Sequence, residues 1–197
     1  MADKDDVIGQ LVEPADARRR WRELVFALHE AAAPGGPLED WAFHGTTSDA
    51  ARWIERDGVA ATHAVVDEDG CSYRTEATHW ATPKVAAFYA EDRIESFQDP
   101  RVELAIVAAS METLEEHGRF AADANSVDGP IVSRMALTEH EAYDRWEHSP
   151  KGWRDCLAAF ESFLVLGPVG PEAVRVIRGL DDLNALIAET ALAPALA

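Results

Sequence analysis

Cysteine is scarce in this chain: Cys71 and Cys156 are the only two among 197 residues. They stand far apart, outside any paired spacing, which excludes a disulfide framework or a zinc motif as the source of the fold. A reducing, cytoplasmic setting is the simplest expectation. Long apolar runs are missing as well. No stretch approaches the roughly 20 residues a helix needs to span a bilayer. The polar, acidic segment from Met1 to Gln10 does not read as a signal peptide. Basic residues are the third scarcity, with 18 Lys and Arg against 36 Asp and Glu and a net charge of −18. Such a surface repels phosphate backbones, so neither nucleic acid nor a membrane is an expected partner. The one dense basic stretch, Arg18, Arg19, Arg20 and Arg22, falls on an expected helix and reads as a solvated face.

Apolar residues make up 47% and charged residues 27% of the chain. That is ordinary globular composition, and the length suits one domain with terminal appendages. The expected division is a helical segment over 1–36, a main domain over 37–180 and a helical tail over 181–197. Residues 14–33 read as a helix: Pro14 suits the first turn, and Trp21, Leu24, Val25 and Leu28 keep helical spacing up to the Pro34-Gly35-Gly36-Pro37 breaker.

Trp41 to His44 reads as a short strand broken at Gly45, with Trp41 and Phe43 on one face and Ala42 and His44 on the other. Thr47 or Ser48 then caps a helix over 49–56, with Ala50, Trp53 and Ile54 as its apolar stripe and Gly58 beyond its end. Residues 60–77 read mostly as loop, with a turn at 67–70. Thr78 to Thr82 is a second strand, and Thr82-Pro83 opens a helix to about Arg93 with Val85, Ala86, Phe88 and Tyr89 inward. A strand over Val102 to Ala109 and a helix capped by Ser110 follow. Thr138 to Glu141 fits a capping box opening a helix to about His148. Ser149-Pro150 starts another, to about Phe160. Strands at 163–166 and 174–177 and a helix from Asp181 complete the pattern. Short strands and helices without regular βαβ alternation argue for an α+β fold.

Three places carry polar groups where chemistry could sit. His44 ends a strand and is followed by a glycine that would let the backbone approach a ligand, with Thr46 beside it; the plain alternative is a histidine bonded to a neighbouring loop. Trp80, and Tyr89 on the next helix, could stack on a base or nicotinamide ring, or be core. Glu161 opens an apolar strand, where a carboxylate is costly unless solvated or bonded; it would equally serve as the exposed end of the preceding helix.

Taken together, Phe43-His44-Gly45-Thr46-Thr47, Trp80-Ala81-Thr82-Pro83 leading to Phe88-Tyr89-Ala90, and Glu161-Ser162-Phe163-Leu164-Val165-Leu166 resemble the ADP-ribosyltransferase superfamily over residues 40–177. The broad layout is similar to the diphtheria-toxin-like members and, in its first two blocks, to the small rifamycin-modifying transferases. The resemblance implies split antiparallel β-sheets with peripheral short helices, NAD as co-substrate and no metal. It implies that His44 bonds the adenosine ribose, that the Gly45 backbone holds the nicotinamide carboxamide with Thr46 supporting the same pocket, and that Trp80 stands where the family has a stacking tyrosine, with Tyr89 as an alternative second wall. Glu161 would stabilise the oxocarbenium-like transition state by placing negative charge where positive charge develops; a slip of one position would bring Ser162 there instead. Ala159 replaces the second glutamate of the arginine-specific toxins, so arginine is not the expected acceptor. The activity implied is transfer of ADP-ribose from NAD to a protein or small-molecule acceptor, or its hydrolysis. A toxin with an antitoxin or immunity protein as partner fits the same resemblance. Three alternatives stand beside it: a non-catalytic NAD or ADP-ribose-binding module of the same fold, an RNA 2′-phosphotransferase-like enzyme, and a metal hydrolase built on the histidines. His140 and His148 are poorly spaced for the last of these.

Overall fold

The computed structural model describes residues 14–66, 72–97, 103–123 and 152–192. The element order is α1 (Pro14–Ala31), β1 (Trp41–Thr47), α2 (Ser48–Asp57), β2 (His63–Val66), β3 (Ser72–Thr75), β4 (Ala77–Ala81) and α3 (Pro83–Phe97). It continues with β5 (Leu104–Ser110), α4 (Met111–His117), β6 (Arg119–Ala121), α5 (Gly152–Phe160), β7 (Ser162–Leu166), a 3-10 turn (Pro171–Ala173), β8 (Arg175–Ile177) and α6 (Leu180–Leu192). The architecture is α+β, built on one open six-stranded sheet of order β6-β7-β4-β1-β5-β8 with antiparallel neighbours. β2 and β3 form a separate antiparallel hairpin. That hairpin corrects the loop expected over 60–77; the turn expected at 67–70 and the helix expected over 138–148 lie outside the described residues.

The pleat divides the sheet into two apolar layers. Phe43, Ala81, Ile106, Ala108 and Ile177 pack with Leu24 and Leu28 of α1, Ala86 of α3, and Leu183 and Leu186 of α6. Ala42, Trp80, Val107, Ala109, Phe163 and Val165 pack with Ile54 of α2 and Leu114 of α4, and Trp153 and Leu157 of α5 close over them. Each fully buried large apolar side chain contributes roughly 1.5–3 kcal/mol, so both terminal helices α1 and α6 are held by the same core as the central strands.

Local chemistry explains the boundaries. Thr47 caps α2, its hydroxyl accepting from the Ala50 N–H at 3.3 Å. Gly58 ends that helix at φ +81° and donates to the Ile54 carbonyl. Ser110 caps α4 in the same manner. Three expectations are corrected. β1 continues through Gly45 to Thr47, because β5 pairs with it along its whole length. Trp53 is 61% exposed and Phe88 63% exposed, whereas Ala51, Ala87 and Ala90 take the inward positions. The apolar pattern fixed the helices but not the last increment of their rotation, because alanines filled the crowded side.

Candidate functional site

The two sides of β1 are unequal. With β5 it forms a ladder from Trp41↔Ser110 to Thr47↔Leu104, but with β4 the register holds one pair, Phe43↔Ala81. Beyond that pair the backbone register between β1 and β4 stops, which makes this junction the waist of the sheet. β6, β7 and β4 form one half; β1, β5 and β8 form the other. The three sequence blocks fall on β1, β4 and the start of β7, which are neighbours in the sheet although they are spread over residues 43–166.

His44 stands at the waist, partly buried. Its Nδ1 lies 2.9 Å from the backbone carbonyl of His79. A carbonyl has no hydrogen to donate, so this bond requires the proton on Nδ1. In the neutral ring, Nε2 then offers a lone pair. Gly45 points the other way. A Cβ there would overlap the Ala86 carbonyl oxygen and come within 2.9 Å of the Ala90 amide. The close approach that requires glycine is therefore that of α3 to β1; the expected approach of a ligand is not needed to explain it. Thr46 is 1% exposed.

Trp80 is wholly buried. Its indole N–H donates to Thr78 Oγ1 at 2.8 Å, and its ring is tilted against that of His44 with centroids 6.1 Å apart. It forms the floor beneath His44 and has no outer face on which a nicotinamide ring could stack in this structure. Tyr89 is half-buried, and its ring meets that of His79 edge-on at 4.6 Å. It thus stands on the α3 face of the sheet, opposite the face that carries Trp80.

Glu161 joins α5 to β7 in the left-handed conformation, φ 61°. Its N–H closes the helix on the Leu157 carbonyl and its carbonyl accepts from the Thr82 N–H. The carboxylate accepts from Thr82 Oγ1 at 3.2 Å and lies 3.9 Å from Lys84 Nζ, with the side chain 43% exposed. The solvated helix end and the strand-opening carboxylate are thus one and the same residue. Continuing the register puts Glu161 two strands and two residue steps from His44, roughly 12 Å between backbone positions from ordinary sheet spacings. Ser162 is fully buried.

Two groups near the waist carried no signal in the sequence. His79 is 8% exposed and Asp123 is completely buried. The imidazole Nε2 lies 3.1 Å from Asp123 Oδ2. The Asp123 N–H donates to Cys156 Sγ at 3.4 Å. Burial in the first place, and the Asp123 charge in addition, push the Cys156 thiol up to about 12, so it stays protonated and unreactive. His79 and Asp123 are 44 positions apart and belong to no motif; only the strand pairing of β4, β7 and β6 brings them together.

Among the described residues no helix is long and apolar enough to cross a membrane. No group of three or more His, Cys, Asp or Glu side chains is gathered among them as a metal site requires; His140 and His148 lie outside the described residues. No protein-family model, curated protein or solved structure matches the chain.

Proposed function

We propose that the protein is an NAD-dependent ADP-ribosyltransferase that moves ADP-ribose from NAD to a protein or small-molecule acceptor and releases nicotinamide. The observation that supports this reading best is the convergence of the His-Gly-Thr, aromatic-x-Thr and Glu blocks on three adjacent strands, with the β1–β4 register stopping beside His44. NAD carries two riboses joined by a pyrophosphate. Groups that each grasp one ribose should therefore stand apart, as His44 and Glu161 do. His44 Nε2 would accept from a hydroxyl of the adenosine ribose. Glu161, anchored by Thr82, would face the nicotinamide ribose, where its charge stabilises the oxocarbenium-like transition state. Trp80, being enclosed, would serve the pocket as its floor and not as a stacking ring, while Tyr89 stands on the opposite face of the sheet against His79. The acidic surface favours an acceptor other than nucleic acid.

The engagement of Glu161 with Thr82 and Lys84 at an exposed edge gives a second reading: a module of the same fold that binds NAD or ADP-ribose without turnover. Nicotinamide release from NAD separates the two, measured for the wild type, His44→Ala and Glu161→Ala with cell lysate as acceptor source. Release by the wild type that both substitutions reduce supports the transferase. NAD binding that His44→Ala abolishes, without release, supports the module. Neither binding nor release would sink both.

A further inference from the structure

Two histidines reach the waist of the sheet from opposite faces. His44 comes from β1 on the Trp80 side, and the His79 side chain lies on the α3 side against Tyr89. They are joined through one atom, the His79 carbonyl oxygen, which receives the His44 Nδ1–H. In a longer ladder that part of β4 would be held by backbone pairing with β1. Here the register ends at Phe43↔Ala81, and the ring of His44 meets the carbonyl instead. β7 holds β4 from its other edge, with His79 opposite Leu164, and the contacts of the His79 side chain add a second hold on the residue whose carbonyl His44 meets.

We propose that Asp123 and His79 are positioning residues for His44: a buried carboxylate–imidazole pair on one face of the sheet steadies the β4 residue whose carbonyl keeps His44 in its Nδ1–H form. Asp123 is suited to this. It is wholly buried, and its carboxylate is 3.1 Å from the His79 ring. The ring of Tyr89 also meets His79, edge-on. Burying a carboxylate beside an imidazole costs more than closing the same corner with apolar side chains of equal volume. The pair therefore earns its place through geometry: it meets two motif residues, Tyr89 through the His79 ring and His44 through a hydrogen bond to the His79 carbonyl. The consequence for NAD affinity rests on the proposed role of His44 in binding, whereas the consequence for the His44 tautomer concerns the protein alone.

Nitrogen-15 NMR of the imidazoles in the full chain tests this directly. The wild type should show His44 predominantly as the Nδ1–H tautomer. In Asp123→Ala that form should fall to a minority in favour of Nε2–H, and NAD should bind about three- to tenfold more weakly, the scale of one hydrogen bond. Cys156→Ala touches the Asp123 backbone but not its carboxylate, and should leave the His44 signal unchanged. Should Asp123→Ala not fold, Asp123→Asn keeps the shape and removes the charge, and a smaller shift in the same direction is expected. A folded Asp123 variant whose His44 keeps the wild-type tautomer overturns the proposal. If the wild type binds no NAD, the transferase and module readings fall together, while the tautomer comparison still decides the role of Asp123.

Discussion

His44 and Glu161 are held under opposite regimes. His44 is set in the thickness of the sheet: Trp80 lies beneath it, α3 is pressed onto the next residue, and the ladder to β5 continues past it. Glu161 sits at a helix-to-strand junction, nearly half exposed, in a backbone conformation that side chains other than glycine rarely adopt. The difference teaches where each residue's geometry comes from. The position of His44 is a by-product of core packing and should change only when the core changes. The position of Glu161 is a local arrangement of cap, hydroxyl and surface ammonium. Substitutions at the two ends should accordingly differ in kind as well as in size.

The largest effect is expected from Trp80→Ala. The ring is wholly buried and its N–H is bonded to Thr78, so its removal opens a cavity and should cost about 3–5 kcal/mol in urea unfolding. A cost below about 1 kcal/mol would mean that the ring is not core, and would restore the stacking role expected from the sequence. Gly45→Ala comes next. Its new methyl would meet backbone atoms of Ala86 and Ala90, which cannot turn aside as a side chain can. About 3 kcal/mol of destabilisation is expected, at the upper end for overpacking. If Gly45→Ala were stable but failed to bind NAD, the glycine would serve the ligand and not the helix.

These two residues also mark what could be read from the sequence. The strands at 41, 78 and 163 and the helices around them were legible, because apolar alternation and the capping residues Thr47, Thr82 and Ser110 are local signals. Gly45 and Trp80 are expected from the sequence in ligand-binding roles, and their packing under α3 and in the core is not visible there, since glycine before a ligand and glycine under a helix look identical in one dimension. Phe88 and Trp53 read as core in the sequence because large apolar side chains usually fill it, and close helix–strand packing, which admits alanines, reverses that preference. His79 and Asp123 could not be paired at all. Their contact passes through two strand registers, which no short-range pattern encodes.

Glu161→Gly sharpens the comparison from the other end. Glycine occupies φ 61° without the penalty a side chain incurs there. The partly exposed contact with Lys84 contributes little to stability. The variant should therefore gain about 0.5–1 kcal/mol in urea unfolding and, on the proposed transferase reading, lose nicotinamide release. A variant that is less stable and still active would show that the carboxylate serves the junction alone.

The smallest effect should come from a surface pair on the His44 side of the molecule. Arg178 donates two hydrogen bonds to the Glu55 carboxylate, at 2.8 and 2.7 Å, and so ties α2 to the end of β8. The hydrogen bonding from Arg178 is the main reason the Glu55 carboxyl titrates below its usual value of 4.5. A carboxyl whose pKa falls on folding adds stability above its unfolded pKa and loses it as pH drops through the folded one. Both side chains are more than a third exposed, so solvent screens the pair and its worth is at most about 1 kcal/mol. Arg178→Ala should thus destabilise the protein by a few tenths to about 1 kcal/mol at pH 7. The gap to the wild type should close as pH falls below the usual Glu55 value, and narrow with added salt. A gap that persisted undiminished in acid would trace to packing of the Arg178 stem. The His44 end would then depend on its surface as well as on its core, and the contrast with Glu161 would weaken.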